Sequence, residues 1–386
     1  MASMTPFHPA PPTGGQDRLA RIGRARQAVL YGETRDPAAP ALEAWIERSW
    51  QRCLAVGQRP EQSPSFDVVP AAAMRRHREA NHLLVQAARP ALERLGRAIA
   101  DTRYFAILTN QAGVVVDVNG PIDRSDSRAD VITRIGTDLS ESRIGTSAIG
   151  AALAEQQPVW LHRGEHFFDA TSVYSCAGAP LFGPDGRCAG MLDLTGIEAA
   201  ERPELKHLVT QSARSIENAL TLGRPHALLI RLNWPGRVLG DDTDGLVCVD
   251  ADGCITGANP AARQMLPRLG TTAADAPHCS ELFAMPFEML FDAAQRRSPA
   301  SGGVLEAPLW SGLRLHAMPV MAGRDATSAS LPLPPSSDCG RPLKELETAL
   351  IRKAVSDARG NVLQAAKALG VSRATVYRRL SPGKRG

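Results

Sequence analysis

Apolar residues recur along this chain at two periods, one helical and one of strand type. Leu42, Trp45, Ile46, Trp50 and Leu54 fall at three- and four-residue spacings, which predicts a helix opening at Ala41. The same period runs from Ala71 to about Ala100 and predicts a second helix, interrupted near Pro90, with Leu84, Val85, Leu92, Leu95 and Ile99 inward. Tyr104 to Val118 reads strand, turn, strand: Y-F-A-I-L-T, N-Q-A-G, then V-V-V-D-V. A short helix is expected at about Ser147 to Glu155, behind the Gly145-Thr146 turn, and a short strand after Pro158. A-G-A-P-L-F and C-A-G-M-L-D-L then frame the turn signal Pro184-Asp185-Gly186. A closing helix from Pro203 to about Leu222 carries Leu205, Leu208, Val209, Ser212, Ile216 and Ala219 in a heptad-like seam, which suggests pairing with a second copy.

The pattern then changes. Asp244 to Arg263 reads as a hairpin about Asp252-Gly253 feeding a helix, with Asn259 as its cap and Pro260 in its first position. R-L-H-A-M-P-V, Arg314 to Val320, is a further strand, whereas about Thr271 to Gly303 is irregular. Ala322 to Pro342 is a Ser/Pro/Ala linker. A helix with Leu343, Leu346, Leu350, Ile351 and Val355 as its stripe follows, and then two short helices about a tight turn, Gly360 to Leu380. In that stretch Asn361 and Ser372 are caps, Gly370 ends the first helix, and Val376 and Leu380 face inward at i, i+4 spacing. This leaves Arg373, Thr375, Tyr377, Arg378 and Arg379 on the outer face, the layout of a helix-turn-helix. The alternative is a helical hairpin with a solvated basic face. Residues 1–40, rich in Pro, Ala, Gly and Arg, read as largely disordered.

Gly360 to Leu380 resembles the Fis-type helix-turn-helix that ends many bacterial enhancer-binding regulators. The order of elements from Ala41 to Leu222 resembles a GAF domain, a small-molecule-sensing α/β fold. I-E-R-S-W-Q-R-C (Ile46 to Cys53), G-T-S-A-I-G (Gly145 to Gly150), Glu165-His166-Phe167 and the G-M-L-D-L strand resemble the acetoin-catabolism-regulator subgroup. That subgroup usually has a tryptophan before its Ser-Glu pair, where this chain has Leu139-Ser140-Glu141, so no ligand identity is carried over. Asp244 to Arg263 resembles the start of a PAS domain. The resulting expectation is an α+β multidomain chain: residues 1–40 a disordered segment, 41–222 a helical lead-in with a GAF-like α/β sensor, 223–321 a PAS-like α/β domain, 322–342 a linker, and 343–386 a small all-α Fis-type helix-turn-helix.

Charge supports a DNA-binding end. From Arg341 to Gly386 there are eleven Lys/Arg against three Asp/Glu, about +8. The totals of 44 and 40 then leave 33 against 37 upstream, so the net +4 hides a basic tail on a mildly acidic body. The length of 386 residues fits two or three domains, and no apolar run approaches membrane-spanning length. Seven scattered cysteines without C-x-x-C pairing fit reduced thiols, hence a cytoplasmic expectation.

The expected partners are double-stranded DNA, contacted by Ser372, Arg373, Thr375, Tyr377, Arg378 and Arg379, and a small-molecule effector, contacted by His166, Phe167, Tyr174 and Cys176. A homodimer and RNA polymerase or a partner regulator complete the set, with no membrane and no cofactor. His162, His166, Asp169 and Cys176 lie close in sequence but lack a metal-site spacing, so no metal is expected. The only Gly-Lys pair is Gly383-Lys384, so no G-x-x-x-x-G-K-[ST] phosphate loop is present. The expectation is a transcription regulator, not an enzyme, that works without hydrolysing ATP. The alternatives are a sensor that modulates a separate ATPase-bearing sigma-54 activator, or a GAF-fold redox enzyme acting through Cys176 or Cys188.

Overall fold

The computed structural model describes residues 14–33, 42–270, 277–296 and 303–322. Its first part runs α1 (Gly14–Leu30), α2 (Ala44–Ala55), α3 (Ala71–Ala80), α4 (His82–Ala98), β1 (Tyr104–Asn110), β2 (Val115–Asn119), α5 (Ser127–Ile132), α6 (Glu141–Ile144), α7 (Ala148–Glu155), β3 (Val159–His162), β4 (Tyr174–Phe182), β5 (Cys188–Ile197) and α8 (Leu205–Leu222). The strands form one antiparallel sheet in the order β2-β1-β5-β4-β3. Both faces are covered, which is why β1 is buried throughout. Because side chains alternate, Tyr104, Ala106 and Leu108 join Leu192, Leu194, Ala177 and Leu181 under α4 and α8. Phe105, Ile107, Tyr174, Cys176 and Met191 face the other way, into a core with Trp50, Leu139, Ile149 and Phe167. Asp193 and Thr195 fall in that second phase: Asp193 pairs with Ile107 and Gly178, and Thr195 with Phe105 and Cys176. Gly145 ends α6 at φ 65°, where a Cβ would meet Phe167 and Phe168 at 3.0 Å.

The second part runs β6 (Leu228–Asn233), β7 (Gly245–Val249), β8 (Ile255–Ala258), α9 (Pro260–Met265), α10 (Cys279–Leu282), α11 (Glu288–Gln295), β9 (Leu305–Pro308) and β10 (Arg314–Met321). Its sheet has the order β8-β7-β6-β10-β9. Leu228, Ile230, Leu232, Val247 and Val249 pack with the helices, and Leu229, Leu246, Cys248 and Val320 form the opposite face. The Cys248 thiol lies 3.3 Å from the Thr221 carbonyl oxygen of α8. The β4–β5 turn reaches this sheet: the Pro184 carbonyl accepts from Ala258 N at 2.9 Å and from the Arg263 guanidinium at 2.8 Å.

Several sequence expectations need correction. Residues 14–30, expected to be disordered, form α1, because Ile22, Ala25, Val29 and Leu30 supply an apolar stripe that packs on the main core. The helix expected from Ala71 to Ala100 breaks at Asn81 rather than at Pro90. Pro90 lies on the exposed side of α4, where the carbonyl it leaves unpaired can take a water, while the Asn81 amide donates to the His77 carbonyl at 2.6 Å. The inward line of α8 is Leu205, Val209, Ala213 and Ile216, packed on the chain's own sheet, so the apolar seam is already occupied. Strand β6, not anticipated, lies at the centre of the second sheet.

Candidate effector site

The core on the α2–α7 side encloses a cavity of about 30 Å3. That is room for one or two waters. Phe66, Ile107, Ile132, Leu139, Ile144 and Ile149 form apolar walls, and His166, Thr171, Tyr174, Cys176, Asp193, Thr195 and Ser147 bring polar atoms to it. Strand alternation places Tyr174, Cys176, Asp193 and Thr195, and the segment between β3 and β4 places His166 and Thr171. Ser147 is already engaged, since its hydroxyl accepts from Gly150 N at 3.1 Å and caps α7.

Two of the buried lining residues also carry a side-chain atom with no partner within the protein. His166 is 2% exposed, and its Nδ1 lies 2.9 Å from the Arg163 carbonyl oxygen. A carbonyl only accepts, so Nδ1 carries the proton and Nε2 is left as a lone-pair acceptor without a partner. Burial drives the His166 pKa down to about 4 against that backbone bond, so the ring is neutral at pH 7. Asp193 is fully buried; its Oδ2 accepts from the Thr195 hydroxyl, and its Oδ1 has no partner. Burial pushes the Asp193 pKa up to about 7, with the Thr195 bond pulling the other way. A buried unpaired polar atom costs about 1–3 kcal/mol, so His166 Nε2 calls for a hydrogen-bond donor and Asp193 Oδ1 for a partner that the protein itself does not supply.

The other polar groups are quieter. The Cys176 thiol lies 3.2 Å from Thr195 Oγ1, and burial, then the Asp193 charge, hold its pKa well above the usual thiol value. It is a neutral thiol, not a nucleophile. Tyr174 donates to the Arg128 carbonyl at 3.1 Å, and burial raises its pKa as well.

Of the effector residues expected from sequence, His166, Tyr174 and Cys176 line the cavity together. Phe167 does not; it is a core residue, edge-on to Phe168 at 5.1 Å. Asp193 and Thr195 were missed, although a carboxylate within the apolar run M-L-D-L-T was the available signal. Leu139, where the subgroup carries tryptophan, is a cavity wall. His162 is committed elsewhere, with Nδ1 2.8 Å from Ser175 Oγ and its ring stacked on Trp160, while Asp169 pairs with Arg26 outside the cavity. Among the described residues no three His, Cys, Asp or Glu side chains group as metal ligands, and no helix is long and apolar enough to cross a membrane. Ser372, Arg373, Thr375, Tyr377, Arg378 and Arg379 lie outside the described residues.

A five-stranded antiparallel sheet with short helices thus closes a small chamber lined by both apolar and polar residues. The chain belongs to the family described as MimR, N-terminal domain, which residues 20–218 match; residues 342–381 match the bacterial regulatory proteins of the Fis family. It is 33% identical over 267 residues to the acetoin catabolism regulatory protein of Cupriavidus necator, covering 66% of this chain and 38% of that one. It is 29% identical over 180 residues to the acetoin dehydrogenase operon transcriptional activator AcoR of Bacillus subtilis, covering 46% of this chain and 30% of that one. The propane 2-monooxygenase operon transcriptional activator MimR of Mycolicibacterium smegmatis is 28% identical over 199 residues, 51% of this chain and 33% of that one. The matched stretches thus span about a third of these relatives' lengths. Among solved structures, the E. coli DhaR(N)–DhaL complex aligns with 17% identity and a TM-score of 0.45 over 71% of this chain and 98% of that one.

Proposed function

We propose that this chain is a DNA-binding transcription regulator whose first domain senses a small, neutral, oxygen-bearing molecule. The observation that carries this reading is that His166 and Asp193, each with a buried side-chain atom unpartnered within the protein, both line one apolar chamber in a chain that also matches the Fis family. His166 Nε2 accepts a hydrogen bond from a ligand hydroxyl; Asp193, when protonated, donates one to a carbonyl or hydroxyl oxygen. The cavity as it stands holds one or two waters, so its walls must part to admit even a few carbons. The relatives are named for operons of acetoin and propane metabolism, which supports a short-chain hydroxyketone, ketone or alcohol.

In this reading residues 41–222 are the sensor, 223–321 a PAS-like relay, 322–342 a linker and 343–386 the DNA-binding end. The hairpin β7–β8 feeding a capped helix supports the PAS-like assignment, with β6 as a departure from it. Arg373, Thr375, Tyr377, Arg378 and Arg379 contact the DNA, with Ser372 at the positive end of the helix dipole. Homodimerisation rests on residues 343–358, which lie outside the described residues, and RNA polymerase is recruited or occluded without ATP hydrolysis by this chain. The test is calorimetry of the full chain with acetoin, acetone and 2-propanol, beside DNA binding across a salt series. Binding of at least one compound is expected, abolished in Asp193→Leu, together with a salt-sensitive DNA complex. Arg378→Ala should weaken that complex by about 1–3 kcal/mol if it reads a guanine edge. Silence with all three compounds overturns the ligand class, and salt-independent or absent DNA binding overturns the regulator.

A further inference from the structure

We propose that Arg26 of α1 is a positioning residue of the cavity: it holds the main chain of residues 164–169, and through it the ring of His166, in the ligand-accepting arrangement. Only the ligand arm of this inference rests on the effector reading above.

Arg18, Ile22 and Arg26 follow one another at four-residue intervals and so share one face of α1. That face lies on the cavity's outer wall. The Arg26 guanidinium donates through one amino group to the Gly164 carbonyl at 2.9 Å and the His166 carbonyl at 2.7 Å. Through the other it donates to the Phe167 carbonyl at 3.1 Å and to Asp169 Oδ1 at 2.6 Å. Four acceptors from six consecutive residues thus converge on one side chain that is only 11% exposed. Arg18 adds a bidentate pair with Glu165, both oxygens at 2.8 Å, and its guanidinium lies 4.1 Å from the Trp160 ring centroid. Between the two arginines the bare backbone of Gly164 meets Ile22, where a Cβ would stand 3.1 Å from Ile22 Cγ2.

The wall needs this support because no strand ladder runs through it. Its tie to α7's entry is a single long bond, Phe167 N to the Thr146 carbonyl at 3.4 Å, and Asp169 N and the Glu165 carbonyl are each held by one partner. It also leaves β3 through Arg163 at φ 54°, a left-handed conformation that costs a non-glycine residue about 1–3 kcal/mol and relaxes when its surroundings loosen. The His166 ring is fixed at Nδ1 by the carbonyl of that same Arg163. Releasing Arg26 therefore frees the His166 carbonyl, lets Arg163 relax and shifts the His166 ring from its place in the cavity lining. A merely structural arginine would stabilise the domain without controlling access to Cys176 in the same lining.

The experiment uses the full chain and needs no ligand for its first arm. The rate at which N-ethylmaleimide modifies Cys176 is read by peptide-resolved mass spectrometry, with the buried thiol of Cys248 in the second sheet as internal reference. In Arg26→Ala the Cys176 rate should rise about tenfold or more, with Cys248 unchanged and faster amide hydrogen exchange confined to residues 163–171. Arg26→Lys, a point charge that cannot fork across carbonyls, should give an intermediate rate and serves where the alanine variant does not fold. An unchanged Cys176 rate overturns the proposal. So does a rise shared by Cys248 or by exchange throughout β1 and β5, which would mark general loss of fold. In the second arm, acetoin should bind Arg26→Ala at least about tenfold more weakly than wild type. If acetoin, acetone and 2-propanol all fail with the wild-type chain, the effector reading falls, and the thiol arm alone decides the role of Arg26.

Discussion

Asn259 in the second sheet and Asp193 in the first are both buried polar side chains, and they solve burial in opposite ways. Asn259 Oδ1 accepts from Leu246 N and Ala262 N, and its Nδ2 donates to Asn218 Oδ1 and the Asp244 carbonyl, all at 2.8 Å. Every donor and acceptor of the amide is used. The neighbouring Asp244 is likewise served by Gly240 N, Asn233 Nδ2 and Arg231. Asp193 has the Thr195 hydroxyl and nothing on its other oxygen, and His166 opposite it is also half-served. A satisfied polar network ties α8, β7 and α9 into one architecture. The pair in the first domain leaves two polar atoms without a partner from the protein itself, which is the ground for the effector site proposed above.

The largest test of this contrast is Asn259→Ala, which strips four partners at once. It should destabilise the chain by about 3 kcal/mol in urea unfolding. A loss below about 1 kcal/mol would mean the network is dispensable and the contrast false.

Asp193→Asn should do the reverse, raising stability while abolishing effector binding. The gain should grow with pH. Asp193 carries a folded pKa near 7 against about 4 when unfolded, so between those values the native state retains a proton the unfolded state has lost. Its contribution to stability therefore falls as pH rises from about 4 to about 7, and the substitution removes that fall. Glu217, also raised to about 7 by burial, acts in the same sense. His162 and His166, both lowered to about 4, act in the opposite sense, since their unfolded forms bind protons up to about pH 6.5. Relative to wild type, the stability of Asp193→Asn in urea unfolding should match near pH 4 and stand progressively higher as pH rises through 7. A constant offset would show that Asp193 does not titrate in this range.

Tyr174→Phe is the smallest and sharpens the comparison within the cavity itself. Tyr174 lines the chamber, yet its hydroxyl already has the Arg128 carbonyl. Its loss should cost about 0.5–1 kcal/mol with acetoin affinity little changed. A collapse of affinity would place the tyrosine hydroxyl among the ligand's partners and move the boundary drawn here.

Local periodicity made most of the elements legible. The β1–β2 hairpin, the Pro184-Asp185-Gly186 turn, the start of α7, the Asn259 cap and the helix α8 all follow from residues close in sequence. The cavity was legible in part: His166, Tyr174 and Cys176 were singled out with the core residue Phe167, while Asp193 and Thr195 were not. Those two join His166 only because the antiparallel register sets β5 beside β4, a pairing that spacing along the chain does not reveal.

What the sequence determined by itself is short-range: caps, turns, alternation and the basic end whose residues 342–381 match the Fis family, since each depends on neighbours a few positions away. What only the tertiary structure decided is long-range. An arginine-bearing N-terminal stretch becomes α1 because Ile22 and its stripe meet the core, and Arg26 finds acceptors about 140 residues downstream. The α8 seam is turned inward because the first sheet offers it more apolar surface than solvent does. Whether a buried polar atom is satisfied depends on which distant strands meet there, and that separates Asp193 from Asn259.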